Sequence, residues 1–224
     1  MLLLRHSVPS LQKIAPEPDP RPGFKSFKTT GAIRYPSRWH RDLLIQTTLD
    51  SNIEAIEPAP GERQDACSFG IFVLVDGIRQ LLIAVRDDLG IDPVDISVGG
   101  LPIPRSYILA EPRCSTARAI WSSRGALISP ADRVRILGIL WEDEEGISLG
   151  KLTERASESI ADPVSVAFFL VCAGQAEVDI SISSISPETI IRRRRRDAPK
   201  PEKSTADIIA GTCLLNNGSH QIPT

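Results

Sequence analysis

Two apolar, β-branched runs, Phe69–Val75 and Ile78–Val85, are separated by nothing but Asp76-Gly77. A two-residue loop leaves such a chain one course, straight back along itself. Asp-Gly supplies the positive φ angles of the type I′ turn at little steric cost. The pair therefore predicts an antiparallel β-hairpin, which commits this part of the chain to a sheet. Both runs are apolar at successive as well as alternate positions, so they are expected to be central strands covered on both faces.

Helical signals flank the hairpin. Ser37–Asp50 predicts a helix with Ser37 at its N-cap and Trp39, Leu43 and Leu44 on one face. An extended piece, Asn52–Glu57, is stopped by Pro58 and Pro60. Beyond the hairpin, Gly99–Pro104 is expected to be a loop, Tyr107–Ala110 a strand and Pro112–Arg124 a helix. A second pattern begins at Ser129-Pro130-Ala131-Asp132: a capping serine, a proline at the first helical position and an acid in the first turn. Val134, Leu137 and Trp141 follow at helical spacing. Ser148 caps a helix over Leu149–Ile160, and Asp162 caps another over Val164–Ala173, which Gly174 terminates. Glu177–Ile182 alternates as a strand does. Trp39 and Trp141 are expected to anchor the core, whereas Trp121 has polar neighbours and is less clearly placed.

These elements divide the 224 residues into four parts. Residues 1–22 hold five of the 18 prolines and predict an extended arm, since proline removes donors from helix and sheet alike. Residues 23–125 and 126–191 predict two domains, and residues 192–224 a basic arm and loose tail. The longest apolar runs, such as Val166–Ala173, are far short of the roughly 18 residues that cross a bilayer. Met1–Leu4 meets Arg5 too early for a signal-peptide core. The expectation is a soluble, cytoplasmic protein with no membrane contact. Cys67, Cys114, Cys172 and Cys213 are 47, 58 and 41 residues apart, spacings that fit neither a zinc site nor a compact disulfide framework, so reduced thiols are expected.

Charge is segregated. Residues 131–191 carry 4 basic and 11 acidic side chains and residues 192–203 carry 7 and 2, so an acidic C-terminal domain abuts a dense basic arm. Arg192, Arg193, Arg194, Arg195 and Arg196, with Lys200 and Lys203 beyond them, repel one another, and packing alone gives no reason for such a run. Arginine's forked, permanently charged donors suit phosphate, and DNA without base specificity is the expected partner. The other use is docking on an acidic protein face, for which residues 131–191 are themselves a candidate. Lys25, Lys28, Arg34, Arg38 and Arg41 form a second possible nucleic-acid surface.

No Walker loop, strand–GxGxxG–helix unit, HExxH or G-x-S-x-G elbow occurs. The arrangement that does occur is a basic Gly/Ser/Lys segment (residues 23–31), a helix with Ser-x-x-x-Arg-Asp-Leu-Leu, an aliphatic strand with a proline stop, and a hairpin ending Leu-Ile-Ala-Val-Arg-Asp-Asp. That order resembles the TnsA-type transposon endonucleases, over about residues 23–191. The resemblance implies an α/β fold: a restriction-endonuclease-like mixed sheet of the PD-(D/E)xK type with a C-terminal winged-helix domain. It also implies an active site with a glutamate on the first helix, an aspartate opening one hairpin strand and an acid-x-Lys on the other. Carried onto this chain, those positions are His40, Ser68, Ala84 and Arg86. Alanine has no donor atom, serine offers a neutral hydroxyl, imidazole suits Mg²⁺ poorly and arginine does not deprotonate. The positions are degenerate, no catalytic residue, metal or cofactor is expected, and His40 is expected to be a surface helix residue beside Arg41. Asp65, Asp87 and Asp88 lie close enough to be displaced ligands, in which case the chain is a Mg²⁺-dependent endonuclease; otherwise they are loop carboxylates.

The third helix of the C-terminal triplet, Val-Ser-Val-Ala-Phe-Phe-Leu-Val-Cys-Ala, has almost no donors for base edges. Sequence-specific reading by that helix is not expected, and contact with a protein partner is. Three readings follow: a non-catalytic nucleic-acid-associated accessory protein of a mobile element, a metal-dependent endonuclease with displaced ligands, and a protein-interaction module that binds no nucleic acid.

Overall fold

The structure, a computed structural model, describes residues 23–59, 68–87, 100–156, 160, 162–180 and 184–194. The fold is mixed α/β. Helix α1 (Arg38–Leu49) precedes strands β1 (Ile53–Pro58), β2 (Ser68–Val75), β3 (Ile78–Val85) and β4 (Gly100–Pro104). These strands form one sheet in the order β1-β2-β3-β4. β1 and β2 are antiparallel, as are β2 and β3, while β3 and β4 are parallel, so the sheet is mixed. Then come α2 (Arg105–Ile108), α3 (Arg113–Ser122) with a 3-10 turn after it, and α4 (Pro130–Glu142). The chain continues through β5 (Ile147–Ser148), α5 (Leu149–Ala156), α6 (Pro163–Cys172), β6 (Ala176–Val178) and β7 (Ile190–Arg193). The last three strands form a small sheet with β7 in the middle, antiparallel to both neighbours.

The hairpin is where its turn chemistry puts it. Val75 pairs with Ile78, and the two loop residues have positive φ, +50° at Asp76 and +74° at Gly77. A β-branched side chain resists that backbone, so Gly77→Val is expected to cost about 1–3 kcal/mol. A thermal or urea melt checks this. An unchanged midpoint would mean the turn conformation is not needed.

Coverage of the hairpin differs from the expectation. Phe69, Ile71 and Val73 of β2, with Ile56 of β1 and Ala84 of β3, are fully or almost fully buried. On the other face Phe72, Leu74 and Leu81 are only half-buried, and Arg79 lies 3.8 Å over the Phe72 ring while pairing with Glu57 at 2.8 Å. The turn end is open, with Ile78 64% exposed. A long aliphatic stem carrying a charged head thus covers part of what a second layer would otherwise bury.

The segment after the hairpin also departs from the sequence reading. Gly100–Pro104, expected as a loop, is strand β4, and Tyr107–Ala110, expected as a strand, gives way to the short helix α2. β4 is an edge strand, where half of the backbone N–H groups have no sheet partner. Pro102 and Pro104 are tolerated there for that reason.

Helix boundaries farther along follow their caps. Ser129 Oγ accepts from Asp132 N–H at 3.1 Å, and an Asp162 carboxylate oxygen accepts from Ser165 N–H at 3.0 Å. The Ser165 hydrogen bonds hold the Asp162 carboxyl below its usual range. Gly174 ends α6 with φ +72°, and a Cβ there would meet the Phe27 ring at 2.5 Å, so both the backbone and the packing require glycine. Ser37 makes no side-chain cap for α1.

A single apolar cluster runs from Phe24 to Ile191 and joins the two halves of the chain. α6 lies against α3, and Cys172 Sγ donates to Ile120 O at 3.4 Å. Burial pushes the Cys172 thiol up to about 12 and also raises Cys114, so both are protonated thiols at neutral pH. Trp39 is in the core as expected. Trp121 is too, stacked on Phe24 at 5.1 Å. Trp141 is not: it is 65% exposed, because the buried side of α4 is made by Ile136 and Leu140 on the opposite face. Among the described residues no helix is long and apolar enough to cross a membrane.

Candidate functional site

α1 packs on the sheet face that carries Phe69 and Ala84. Those two residues are directly paired across β2 and β3. The His40 ring lies 5.0 Å from the Phe69 ring and 3.7 Å from that of Trp39. His40 Nδ1 is 2.9 Å from Ser37 Oγ, which fixes the imidazole's orientation at the start of the helix. His40, Phe69 and Ala84 are each 0% exposed. His40 is therefore not a surface residue. It faces the sheet one helical turn before Leu43 and Leu44, so it belongs to the apolar side of α1 despite its polar ring.

Two of the four degenerate positions, His40 and Ala84, meet Phe69 here. Ser68 pairs with Val85, one residue along from the Phe69–Ala84 pair, and Arg86 is exposed just past the end of β3. The side chains brought together here are a phenyl ring, a methyl group and a buried imidazole. A hard cation needs several oxygen ligands at once, and this set cannot supply them. Among the described residues no cluster of three or more His, Cys, Asp or Glu side chains is arranged to hold a metal ion.

Asp87 has another task. Its carboxylate accepts from the Ser106 N–H at 3.0 and 3.1 Å and from Ser106 Oγ at 2.7 Å, pinning α2 to the end of β3. Asp65 and Asp88 lie outside the described residues.

A second buried polar contact binds α1 to α3. Asp42, with a side chain only 6% exposed, receives Arg118 through two hydrogen bonds, Nε at 2.9 Å and Nη2 at 2.6 Å. The hydrogen bonds that Arg118 donates to Asp42 raise the guanidinium's affinity for its proton still further. Sequence order hid this pair, because the partners are far apart in the chain and Asp42 looks like an ordinary helical acid.

Lys28, proposed from sequence for a nucleic-acid surface, is 4% exposed. Its ammonium donates to the Thr47 and Asp50 carbonyl oxygens, where α1 ends and its last carbonyls lack partners. Lys25, Arg34 and Arg38 are exposed and Arg41 is half-buried.

The arginine run is partly structural. Arg192 and Arg193 belong to β7, not to an arm, because the sheet continues through them: Glu177 pairs with Arg192 and Ala176 with Arg193 in the ladder. Arg192 Nε is 3.5 Å from a Glu177 carboxylate oxygen. The Arg193 guanidinium lies 3.3 Å from the centre of the exposed Trp141 ring, a close cation–π contact. Arg194 N–H donates to Gln175 O at 3.1 Å, its guanidinium reaches Ile53 O at 3.5 Å, and it lies 5.0 Å over Phe27. Arg195, Arg196, Lys200 and Lys203 lie outside the described residues. α6 is turned inward, with Val166, Ala167, Phe168, Leu170 and Val171 buried, so it offers no base-reading face.

Comparison with family models, with curated proteins and with solved structures finds no match.

Proposed function

We propose that this chain is a non-catalytic accessory protein that associates with nucleic acid without reading its sequence, built on the plan of the TnsA-type transposon endonucleases. The observation that carries the non-catalytic part is the complete burial of His40, Phe69 and Ala84, with His40 on the Phe69 ring and Phe69 paired with Ala84. Topology supports the resemblance: a helix packs on an antiparallel hairpin that is extended by a parallel strand, the layout of a restriction-endonuclease-like core. The order α4, β5, α5, α6, β6, β7, with the three strands in one small antiparallel sheet, is that of a winged helix. In this reading the inward-facing α6 leaves that domain to protein contact, and duplex affinity comes from cations on the backbone phosphates.

A second reading, a protein-interaction module that binds no nucleic acid, is favoured by one specific fact. Arg192, Arg193 and Arg194 are already engaged by Glu177, Trp141 and Phe27. The endonuclease reading has less behind it, since Asp87 is committed to Ser106.

Salt dependence separates the two favoured readings. Each duplex phosphate neutralised contributes a log–log slope of about −0.9, so Arg195, Arg196, Lys200 and Lys203 together supply up to about −3.6. Replacing those four with serine leaves the β7 contacts intact and is expected to flatten the slope and weaken binding equally on unrelated duplexes. An unchanged slope would move the interface to Lys25, Arg34, Arg38 and Arg41. No binding of DNA or RNA at low salt would leave the interaction module.

A further inference from the structure

The outward face of α4 carries an exposed apolar line, with the Arg193 guanidinium against the Trp141 ring at one end of it. Val134 is 68% exposed and Trp141 65%, and they are seven residues apart, two helical turns on one face. Gly138 lies between them, and a Cβ built there would meet nothing within 4 Å. Ile136 and Leu140 point the opposite way, into the core, so the line is a second apolar face and not an overflow of the first. Charge is graded along the same helix. Arg133 and Arg135, after Asp132 in the first turn, occupy its first half, and Glu142 ends it, with Asp143-Glu144-Glu145 following directly.

We propose that this face is a self-association surface on which a second copy of the chain lays its own α4 antiparallel. A two-fold axis requires one patch to complement itself. This patch does so only in the antiparallel sense, which sets the basic half of one α4 against the acidic end of the other. The register follows from the residues. With the axis near Gly138, Val134 of each copy meets Trp141 of the other, and glycine at the crossing lets the backbones come close. Arg135 and Glu142, seven residues apart, lie on the same flank of the apolar line. In an antiparallel helix pair same-side flanks meet, which brings Arg135 of one copy to Glu142 of the other, twice. Both side chains are exposed, 54% and 68%. Within the chain Arg135 is 3.9 Å from Asp132 and Glu142 is hydrogen-bonded to the half-exposed Arg155, so the two-fold contact adds a second partner to each. The inference is independent of any nucleic-acid role.

Sedimentation equilibrium of the full chain tests it. A contact of two to three helical turns is small, so a weak dimer with a dissociation constant of about 1–100 µM is expected. Arg135→Glu and Glu142→Arg, made separately, each place two like-charge contacts in the pair and are expected to raise the dissociation constant at least about tenfold. The swap carrying both substitutions restores opposite charges and is expected to return it to within about threefold of the starting value. Val134→Asp is expected to give a monomer with an unchanged melting midpoint, since the side chain is exposed. A chain that stays monomeric to a concentration of about 300 µM overturns the proposal. So does a dimer indifferent to the single reversals, which would place the contact elsewhere. Sedimentation of a monomer with phosphatidylcholine vesicles, lost in Val134→Asp, would give the face to a lipid surface and overturn it as well.

Discussion

Ala84→Glu, the substitution that restores an acid at the degenerate hairpin position, is expected to unfold much of the protein and to create no nuclease. Ala84 is completely buried and paired with Phe69, whose ring packs on His40. A carboxylate there has no water and no oxygen-rich metal site to enter. Burying an unpaired charge costs several kcal/mol, about 3–5 in folded proteins once the group shifts its proton affinity and the chain relaxes. The pH dependence has a definite sign. The buried glutamate's pKa is raised above its unfolded value of about 4.3, so the folded state holds the extra proton and stability falls as pH rises through that window. The penalty is therefore smallest below about pH 4 and grows toward neutrality. Ala84→Gln has nothing to titrate, and its deficit relative to the parent chain should not change with pH. Urea melts at several pH values read both outcomes. A stable Ala84→Glu protein with an unshifted midpoint would mean that the position is open.

Arg118→Ala is expected to cost about 2–3 kcal/mol, less than a fully buried pair because half of the arginine is in water. The loss comes mainly from Asp42, left almost wholly buried without its two charge-assisted donors. Arg118→Lys is expected to recover only part, since an ammonium cannot reproduce the fork. Combining Asp42→Leu with Arg118→Met removes both partners and is expected to be milder than Arg118→Ala alone, because no orphaned charge remains. Thermal or urea melts of the set check the order. An Arg118→Ala protein as stable as the parent would show that the α1–α3 contact rests on apolar packing alone.

What could be read in advance was what is decided locally. Asp76-Gly77 dictated its turn by backbone sterics, and Ser129 and Asp162 dictated helix starts by offering an oxygen where amides lack partners. Those features needed no knowledge of distant chain. β4 did, because a parallel edge strand is defined by its neighbour β3, and its prolines spelled a loop to any local reading. His40 shows the same limit. A histidine between Trp39 and Arg41 carries no mark of which way the helix will face, and only the sheet beneath α1 decides that it is buried. The arginine run misled through composition. Five like charges describe an arm on charge alone, but Ile190 and Ile191 begin a strand that the sheet carries on into Arg192 and Arg193. Helical spacing puts Trp141 on a face with Val134 but does not say which side the core occupies, and here the core takes the side of Ile136 and Leu140.

The proposal of nucleic-acid binding without cutting is tested most directly by one assay with two readouts. End-labelled duplex is incubated with the full chain and Mg²⁺ or Mn²⁺ at low salt. Half of the sample is run on a native gel and half on a denaturing gel. A shifted band on the first and intact strands on the second are expected, for unrelated duplex sequences alike. Strands cut in a metal-dependent way, with cutting abolished by Asp65→Ala or Asp87→Ala, would contradict it, as would a duplex that never shifts.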